Sequence, residues 1–403
     1  MECSPHHACS RAVSLGGWYS SCAIIYDAND ERGQLKCWGL GGAQLGLGDN
    51  DDRGDQVSDM GTSLPTVNVG SDRFVVAVST GFFHTCAVLD NNKVKCWGMN
   101  MDYQLGYGDQ ITRGLTSGTM GDALPFVELG TDYAAVDVCV SGKTDEWGYS
   151  CALSDAGIVK CWGSGHVVSE TIDSNFQVLG VSPLDMGDNL PRINLGTSRY
   201  ATQISCSRND VCVILDNADI KCWGRSGGKL GHSESTMGDN LIAVDMTNVL
   251  GVGDTTPVYV DGGPDHFCVL LLGGAIACWG DNSEGQTGDT SSVTPIPKVV
   301  SIGTGRTAKQ VATGKRHTCA LLDDDSVKCW GFNWFAQLGL GDYDNHNALT
   351  NQMGDNLATV SLSSTLTTLA IYAGDSHSCA LLSDHKLRCW GGNSHGVLGI
   401  GED

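Results

Sequence analysis

The chain has 403 residues, with 24 Lys and Arg against 46 Asp and Glu, a formal charge of −22. Such a surface repels phosphate backbones and anionic bilayers, which argues against sequence-general nucleic-acid binding. Apolar residues at 41%, charged residues at 17% and 54 Gly describe many short strands joined by tight turns and exclude a disordered chain or a coiled coil. The longest apolar stretch, Phe267 to Trp279, is broken by two Gly and is shorter than the ~20 residues of a membrane helix.

The N-terminal residues, MECSPHHACSRAV, contain no apolar signal-peptide core. A signal peptide is therefore expected to have been removed already, or the numbering to start inside a longer precursor. Of 18 Cys, 14 fall into seven pairs: Cys22 with Cys37, Cys86 with Cys96, Cys151 with Cys161, Cys212 with Cys222, Cys268 with Cys278, Cys319 with Cys329 and Cys379 with Cys389. The second Cys of every pair is followed by Trp-Gly, and no CxxC metal spacing occurs. Such cysteine usage predicts an oxidising, extracytoplasmic location: secreted, cell-surface or organelle lumen.

The repeated Trp residues, from Trp38 to Trp390, recur every 50 to 65 residues or so, a period that predicts a β-propeller. The copies divide the chain into seven blades at approximately 10–70, 71–130, 131–196, 197–256, 257–303, 304–365 and 366–403. All form one all-β domain with about four antiparallel strands per blade. The last blade is expected to be incomplete, because the sequence ends soon after Leu398-Gly399 with no Pro-x-Val-x-Leu run.

Blade two displays the parts in order: an apolar run Phe74 to Val78, a turn at Gly81, strands His84 to Leu89 and Val94 to Trp97, a loop to Gln104-Leu105-Gly106, then Met120-Gly121-Asp122 and a last run Pro125 to Leu129. Opposed residues of an antiparallel hairpin keep a constant index sum. A sum of 182 sets Cys86 against Cys96, Val88 against Val94, Thr85 against Trp97 and His84 against Gly98. Directly opposed side chains are close enough for a disulfide, so every blade is expected to be stapled across its hairpin.

Four Cys lie outside the staples. Cys139 and Cys206 fall near the ends of the innermost strands of blades three and four, where neighbouring blades converge on the axis, and they are expected to bond to each other. Cys3 and Cys9 are left to close a small loop or to reach blade seven.

Gly81 to Asp109 and Gly314 to Asp342 read G-x-x-H-[TS]-C-A-L, K-C-W-G-x-N and Q-L-G-x-G-D. This pattern resembles the regulator of chromosome condensation repeat, which implies a seven-bladed propeller. The resemblance implies no single function, because that family includes a guanine-nucleotide exchanger, a light receptor, a secreted β-lactamase inhibitor and plain interaction modules. Exchange activity is not expected: the chain has no basic N-terminal tail and no long wedge-like insertion among its repeats.

No GxSxG, HExxH or P-loop pattern is present, so no enzyme is expected. A basic residue precedes the second Cys in six blades (Lys36, Lys95, Lys160, Lys221, Lys328, Arg388), with Ala277 in blade five; each is expected to lie along the sheet with a solvated head. His84, His266, His317 and His377 recur at one strand position and are expected to make structural hydrogen bonds, being too far apart around a ring to share a metal. The recurring Met of Met-Gly-Asp is expected to plug a gap against the next blade. Asp49, Asp51, Asp52 and Asp55 supply carboxylates for calcium, without EF-hand spacing; no other cofactor is expected.

The CWG-to-QLG loops vary while the frame repeats, and all should leave one face of the disc. Met101 and Tyr103 in blade two and Trp334 and Phe335 in blade six mark that face as a partner surface. Blade one adds a longer hairpin at Asp27 to Gly33 and blade three an insertion at Gly142 to Trp147. The expected function is a rigid, non-enzymatic scaffold that binds a protein or belongs to a larger assembly. A calcium-dependent or carbohydrate-binding adhesion module is the alternative, and an exchange factor or enzyme comes last.

Overall fold

A computed structural model describes residues 13–401 except 18, 28–29, 144–145, 166, 169–176, 226–236, 250–252 and 349–350. Seven separate antiparallel sheets follow one another along the chain, five with three strands and two with four. The four-stranded sheets are blade three, closed by Gln177–Leu179, and blade five, closed by Val293–Val299. Blade seven has three strands, Thr368–Ala373, His377–Leu382 and Leu387–Gly391, as the sequence predicts.

In the other three-stranded blades the fourth run is present but meets its sheet through one backbone bond. Val127 N donates to Val94 O at 2.8 Å, and Val67, Val244 and Val360 do the same in blades one, four and six. Fewer ladder bonds than a strand requires explain why the expected count of four is met by regular strands in only two blades.

The hairpin register is the predicted one: Cys86 faces Cys96, Thr85 faces Trp97 and His84 faces Gly98. All seven staples are formed, with Cα atoms 4.0–4.1 Å apart. Cys139 and Cys206 are joined as well, with Cα atoms 5.6 Å apart, inside the range a disulfide needs. Cys3 and Cys9 lie outside the described residues.

Three concentric sets of contacts tie neighbouring blades together. At the axis of blades one, two, four and five, the inner-strand residue opposite the first Cys bonds to the following blade. Ser14 Oγ accepts Thr80 N at 2.9 Å, Ser79 Oγ accepts Val140 N at 3.1 Å, Ser205 Oγ accepts Gly262 N at 2.9 Å and Asp261 Oδ2 accepts Thr313 N at 2.7 Å.

At mid-radius, the carbonyl that opens Gln-Leu-Gly receives two donors from the next blade. Gln44 O accepts Thr85 Oγ1 at 2.9 Å and Trp97 Nε1 at 3.0 Å, and Gln104, Gln286 and Gln337 repeat the arrangement. The glycine of this loop, Gly46, has φ 69° and sits so close to Trp97 that a Cβ would lie 2.6 Å from the indole nitrogen, which requires glycine on both grounds. The ring closes through the same contact, with Val397 O of blade seven accepting Ser21 Oγ at 3.1 Å and Trp38 Nε1 at 2.8 Å of blade one.

At the rim, the lysines correct the expectation of solvated heads. Lys95 is buried, its Nζ donating to Val69 O of blade one at 2.9 Å and Gly121 O of its own blade at 2.7 Å. Lys160 and Lys221 bridge the next two junctions in the same way. Burial of these ammonium groups lowers their pKa values. The run at the outer edge leaves its carbonyls unpaired by any ladder, and the lysine head replaces the missing donors.

The adjoining Met-Gly-Asp adds a second grip: Asp122 accepts Ser71 N at 2.9 Å, and Asp188, Asp239 and Asp355 take Thr131, Thr197 and Thr304 likewise. Met120 packs with Trp97 and Leu45, so the methionine plugs the gap towards the preceding blade rather than the next one.

Candidate functional site

The histidines complete the mid-radius contact, as expected of structural hydrogen bonding. His84 Nε2 lies 3.0 Å from Ser150 Oγ of the next blade, and His266, His317 and His377 meet Thr318, Ser378 and Ser21 at 2.8, 2.9 and 3.2 Å. Each hydroxyl spends its one proton on the Gln or Val carbonyl described above, so the imidazole must donate from Nε2. Burial lowers His84, His266 and His377 to about 4 and His317 to about 3. The glycine of G-x-x-H makes room for the ring: a Cβ on Gly314 would lie 2.2 Å from the His317 imidazole.

The variable loops do share a face. The residue after Trp-Gly hydrogen-bonds to the inner turn of its own blade, Leu40 N to Tyr19 O, Met99 N to Phe83 O, and Phe332 N to Arg316 O, so inner turns and CWG-to-QLG loops lie side by side. In blades two, five and six the loop is pinned by a buried Asn. Asn333 Nδ2 holds Asp342 O at 3.0 Å while its Oδ1 accepts Leu338 N at 3.0 Å, and Asn100 does the same in blade two.

Met101 and Trp334 occupy the same tip position, one residue after that Asn, and are 66% and 72% exposed. Phe335 is 40% exposed, and Tyr103 is half-buried in a left-handed turn. Phe332 supports the blade-six pair, its ring centroid 5.6 Å from Trp334 and 6.3 Å from Phe335. Met101 and Tyr103 are not brought against this cluster, because blades seven and one intervene around the ring.

Three aromatic residues missed by the sequence reading fill part of that gap. Tyr19 of blade one packs on Phe82 and Phe83 of blade two, with centroids 5.3 and 6.4 Å away, and on His395 of blade seven at 5.5 Å. Phe335 in turn borders Gly392 of blade seven. An aromatic arc thus runs from blade six past the small residues of blade seven to blades one and two. The signal was in the inner turns, which carry Tyr19 and Phe82-Phe83 where blade six has Lys315-Arg316.

In the acidic loop of blade one, the carboxylates of Asp49 and Asp52 bond within the chain. Arg53 binds Asp49 at 2.7 Å, and Asp52 accepts Gly41 N at 2.6 Å and faces His395 Nδ1 at 3.1 Å. Asp51 is exposed, and desolvation followed by the neighbouring Asp59 carboxylate raises the pKa of Asp55. Asp109 with Arg113 and Asp342 with His346 repeat the pair of Asp49 with Arg53, which closes the loop on the glycine of CWG. Among the described residues the only group of three or more metal-ligating side chains converging within 4.8 Å is Cys139, Cys151 and Cys206, and all three are in disulfides.

The family described as "Regulator of chromosome condensation (RCC1) repeat" matches residues 75–104, 258–286, 308–337 and 369–397 in one form and 274–321 in another. The chain carries regulator of chromosome condensation repeats. It is 28% identical over 342 residues to the Ultraviolet-B receptor UVR8 of Arabidopsis thaliana, covering 82% of this chain and 68% of that protein. It is 25% identical over 371 residues to Protein pim1 of Schizosaccharomyces pombe, covering 84% and 62%. The chain therefore spans about two thirds of the length of these RCC1-repeat relatives.

Among solved structures, human WBSCR16 superposes with a TM-score of 0.66 at 16% identity, covering 93% of this chain and 88% of that one. Yeast RCC1 (Prp20) bound to Kap60 gives 0.65 at 16% identity, covering 100% and 86%. These likenesses establish the propeller fold. Among the described residues no helix is long and apolar enough to cross a membrane.

Proposed function

We propose that this RCC1-repeat propeller is a non-enzymatic scaffold, working outside the reducing cytosol, that binds a protein partner on the face carrying Trp334, Phe335 and the blade-one and blade-two aromatics. The exposure of Trp334 on a loop locked by Asn333 carries the reading. A large ring held rigidly in water loses little conformational entropy on binding and offers a wide apolar contact. The closed set of inter-blade bonds keeps that face rigid, and the disulfides suit an oxidising compartment. The solved relative bound to Kap60 makes protein binding a natural use of the fold.

The test is capture from the native source with the wild type and with a Trp334→Ala/Phe335→Ala double variant as bait, beside a glycan array. A protein retained by the wild type and lost by the variant supports the scaffold. Saturable glycan binding with no such protein supports the adhesion module instead.

A further inference from the structure

We propose that the disulfide between Cys139 and Cys206 is a thiol-exchange site. A small dithiol entering the axial channel reduces this bond, and the freed Cys139 then takes Cys151 from Cys161, which moves the blade-three staple by one strand. The site does not depend on the aromatic face.

Blade three differs from the other blades in its cysteines. Cys139 faces Cys151, and Cys151 faces Cys161, so three cysteines stand in one row across the strands Ala135–Lys143, Glu146–Ser154 and Val159–Gly165. In the other six blades the place of Cys139 is taken by Ser14, Ser79, Ser205, Asp261, Ala312 and Tyr372. The sulfurs of Cys139, Cys151 and Cys206 lie within 4.8 Å of one another. The hairpin staple therefore sits within reach of the inter-blade bond.

Access favours the inter-blade bond as the point of entry. The inner strands of all seven blades line an axial cavity of about 240 Å³, and Cys139 and Cys206 lie on its wall. Cys206 is the last residue of its strand, Ala201–Cys206, and is partly exposed beside the inner turn. In blades one to six both staple cysteines are buried. A cavity of this size takes a small dithiol and excludes a folded protein.

The electrons and protons balance in three displacements. A thiolate of the dithiol attacks Cys206 Sγ, the bond to Cys139 breaks, and its electron pair leaves on Cys139 Sγ. The second thiol of the reductant then displaces Cys206, which takes up the proton, and the reductant departs as a cyclic disulfide. Finally the Cys139 thiolate attacks Cys151 Sγ, a bond between Cys139 and Cys151 forms, and Cys161 leaves as a thiolate that is protonated. Displacement at sulfur needs the entering and leaving sulfurs on opposite sides, and the sheet sets Cys139 and Cys161 on either side of Cys151. The present staple joins a narrow pair, with Cα atoms 4.0 Å apart. The opposed pair on the other side of the same residue is then the wide one, at ~5.5 Å, inside the ~4.4–6.8 Å that a disulfide needs. The exchange unties blades three and four at the axis while each blade keeps one staple and its register.

Two measurements on the intact protein test the relay, both read by acid quenching, maleimide labelling in denaturant and peptide mapping. The native wild type is exposed briefly to dithiothreitol, and the first thiols are expected at Cys206 and Cys161, together with a linked peptide carrying Cys139 and Cys151. The Cys206→Ser variant leaves Cys139 unpaired without any reductant. Its label is expected at Cys161 within about tenfold of that at Cys139, because the two bonds exchanged are alike in kind. Label confined to Cys139 in the variant, or first thiols at Cys139 and Cys206 alone in the wild type, overturns the relay. Opening of the Cys86 and Cys96 staple before the inter-blade bond overturns the point of entry.

Discussion

The bond between Cys139 and Cys206 stands where four other inner junctions have a hydrogen bond. Cys139 faces the first staple cysteine of its blade as Ser79 faces Cys86, and Cys206 is the residue after Ser205, the position whose amide the preceding blade would bind. The disulfide therefore substitutes a covalent link for the contact that Ser79 makes to Val140 N at 3.1 Å. It also spans 67 residues, far more than any hairpin staple.

Its removal has a calculable effect. Closing a loop of that length is worth about 4 kcal/mol by chain entropy, against under about 3 kcal/mol for a ten-residue hairpin. A Cys139→Ala/Cys206→Ala variant should lose stability by up to that amount in denaturant unfolding. Cys139→Ser/Cys206→Ala should recover about 1 kcal/mol, because the serine hydroxyl can accept the residue 206 amide. Equal stability of the two variants would show that the position is not interchangeable with the serine junctions.

The buried histidines set an acid limit. Their folded pKa values, about 4 for His84, His266 and His377 and about 3 for His317, lie below the unfolded value of ~6.5. The unfolded chain then binds protons that the folded one refuses. Stability contributed by these groups is complete above pH ~6.5 and is lost as pH falls towards about 4. Urea midpoints measured from pH 7.5 to 4.5 should fall steadily below 6.5, and His377→Gln should flatten the slope. A midpoint independent of pH in that window contradicts the neutral latch.

The rim lysines should behave as buried donors, not as surface charges. Lys95→Met leaves two buried carbonyls, those of Val69 and Gly121, without their partner, at a cost of roughly 2–4 kcal/mol. Lys93→Met, two residues away and partly exposed, should change stability by less than about 0.5 kcal/mol. Thermal melting of the two variants checks this, and indistinguishable melting temperatures would return Lys95 to the surface.

Much of the frame was legible in the sequence because its signals are local. The spacing of Cys86 and Cys96 carries the hairpin register, and the Cys-Trp-Gly period carries the blade count. The inter-blade disulfide was legible because neighbouring blades converge at the axis.

What escaped depends on partners elsewhere in the ring. Lys95 reads as a surface residue until Val69, in the preceding blade, turns its carbonyl away from the sheet. The partner of His84 is Ser150, 66 residues on and one blade over, and no local pattern names it. The outer runs look like strands by alternation, yet only one backbone bond holds each of them to its own sheet in blades one, two, four and six. Tyr19, Phe82 and Phe83 lie on two different blades, so their meeting depends on ring geometry.

The aromatic face should be separable from stability. Trp334 and Phe335 are exposed while Asn333 beneath them holds the loop, so Trp334→Ala/Phe335→Ala should leave the melting temperature within about 2 °C of the wild type. Asn333→Ala removes the bonds to Leu338 and Asp342 and should lower it clearly. The reverse order would place the two rings in the core.

Hydroxyl-radical footprinting of the isolated protein and of its native complex tests the central claim most directly, because aromatic rings and methionine report their own solvent contact. The account predicts that Trp334, Phe335, Tyr19 and Phe82 lose reactivity in the complex, while Leu272 and Leu369, exposed apolar residues away from that face, keep theirs. Unchanged reactivity along the aromatic arc in a complex that protects other surfaces would contradict it.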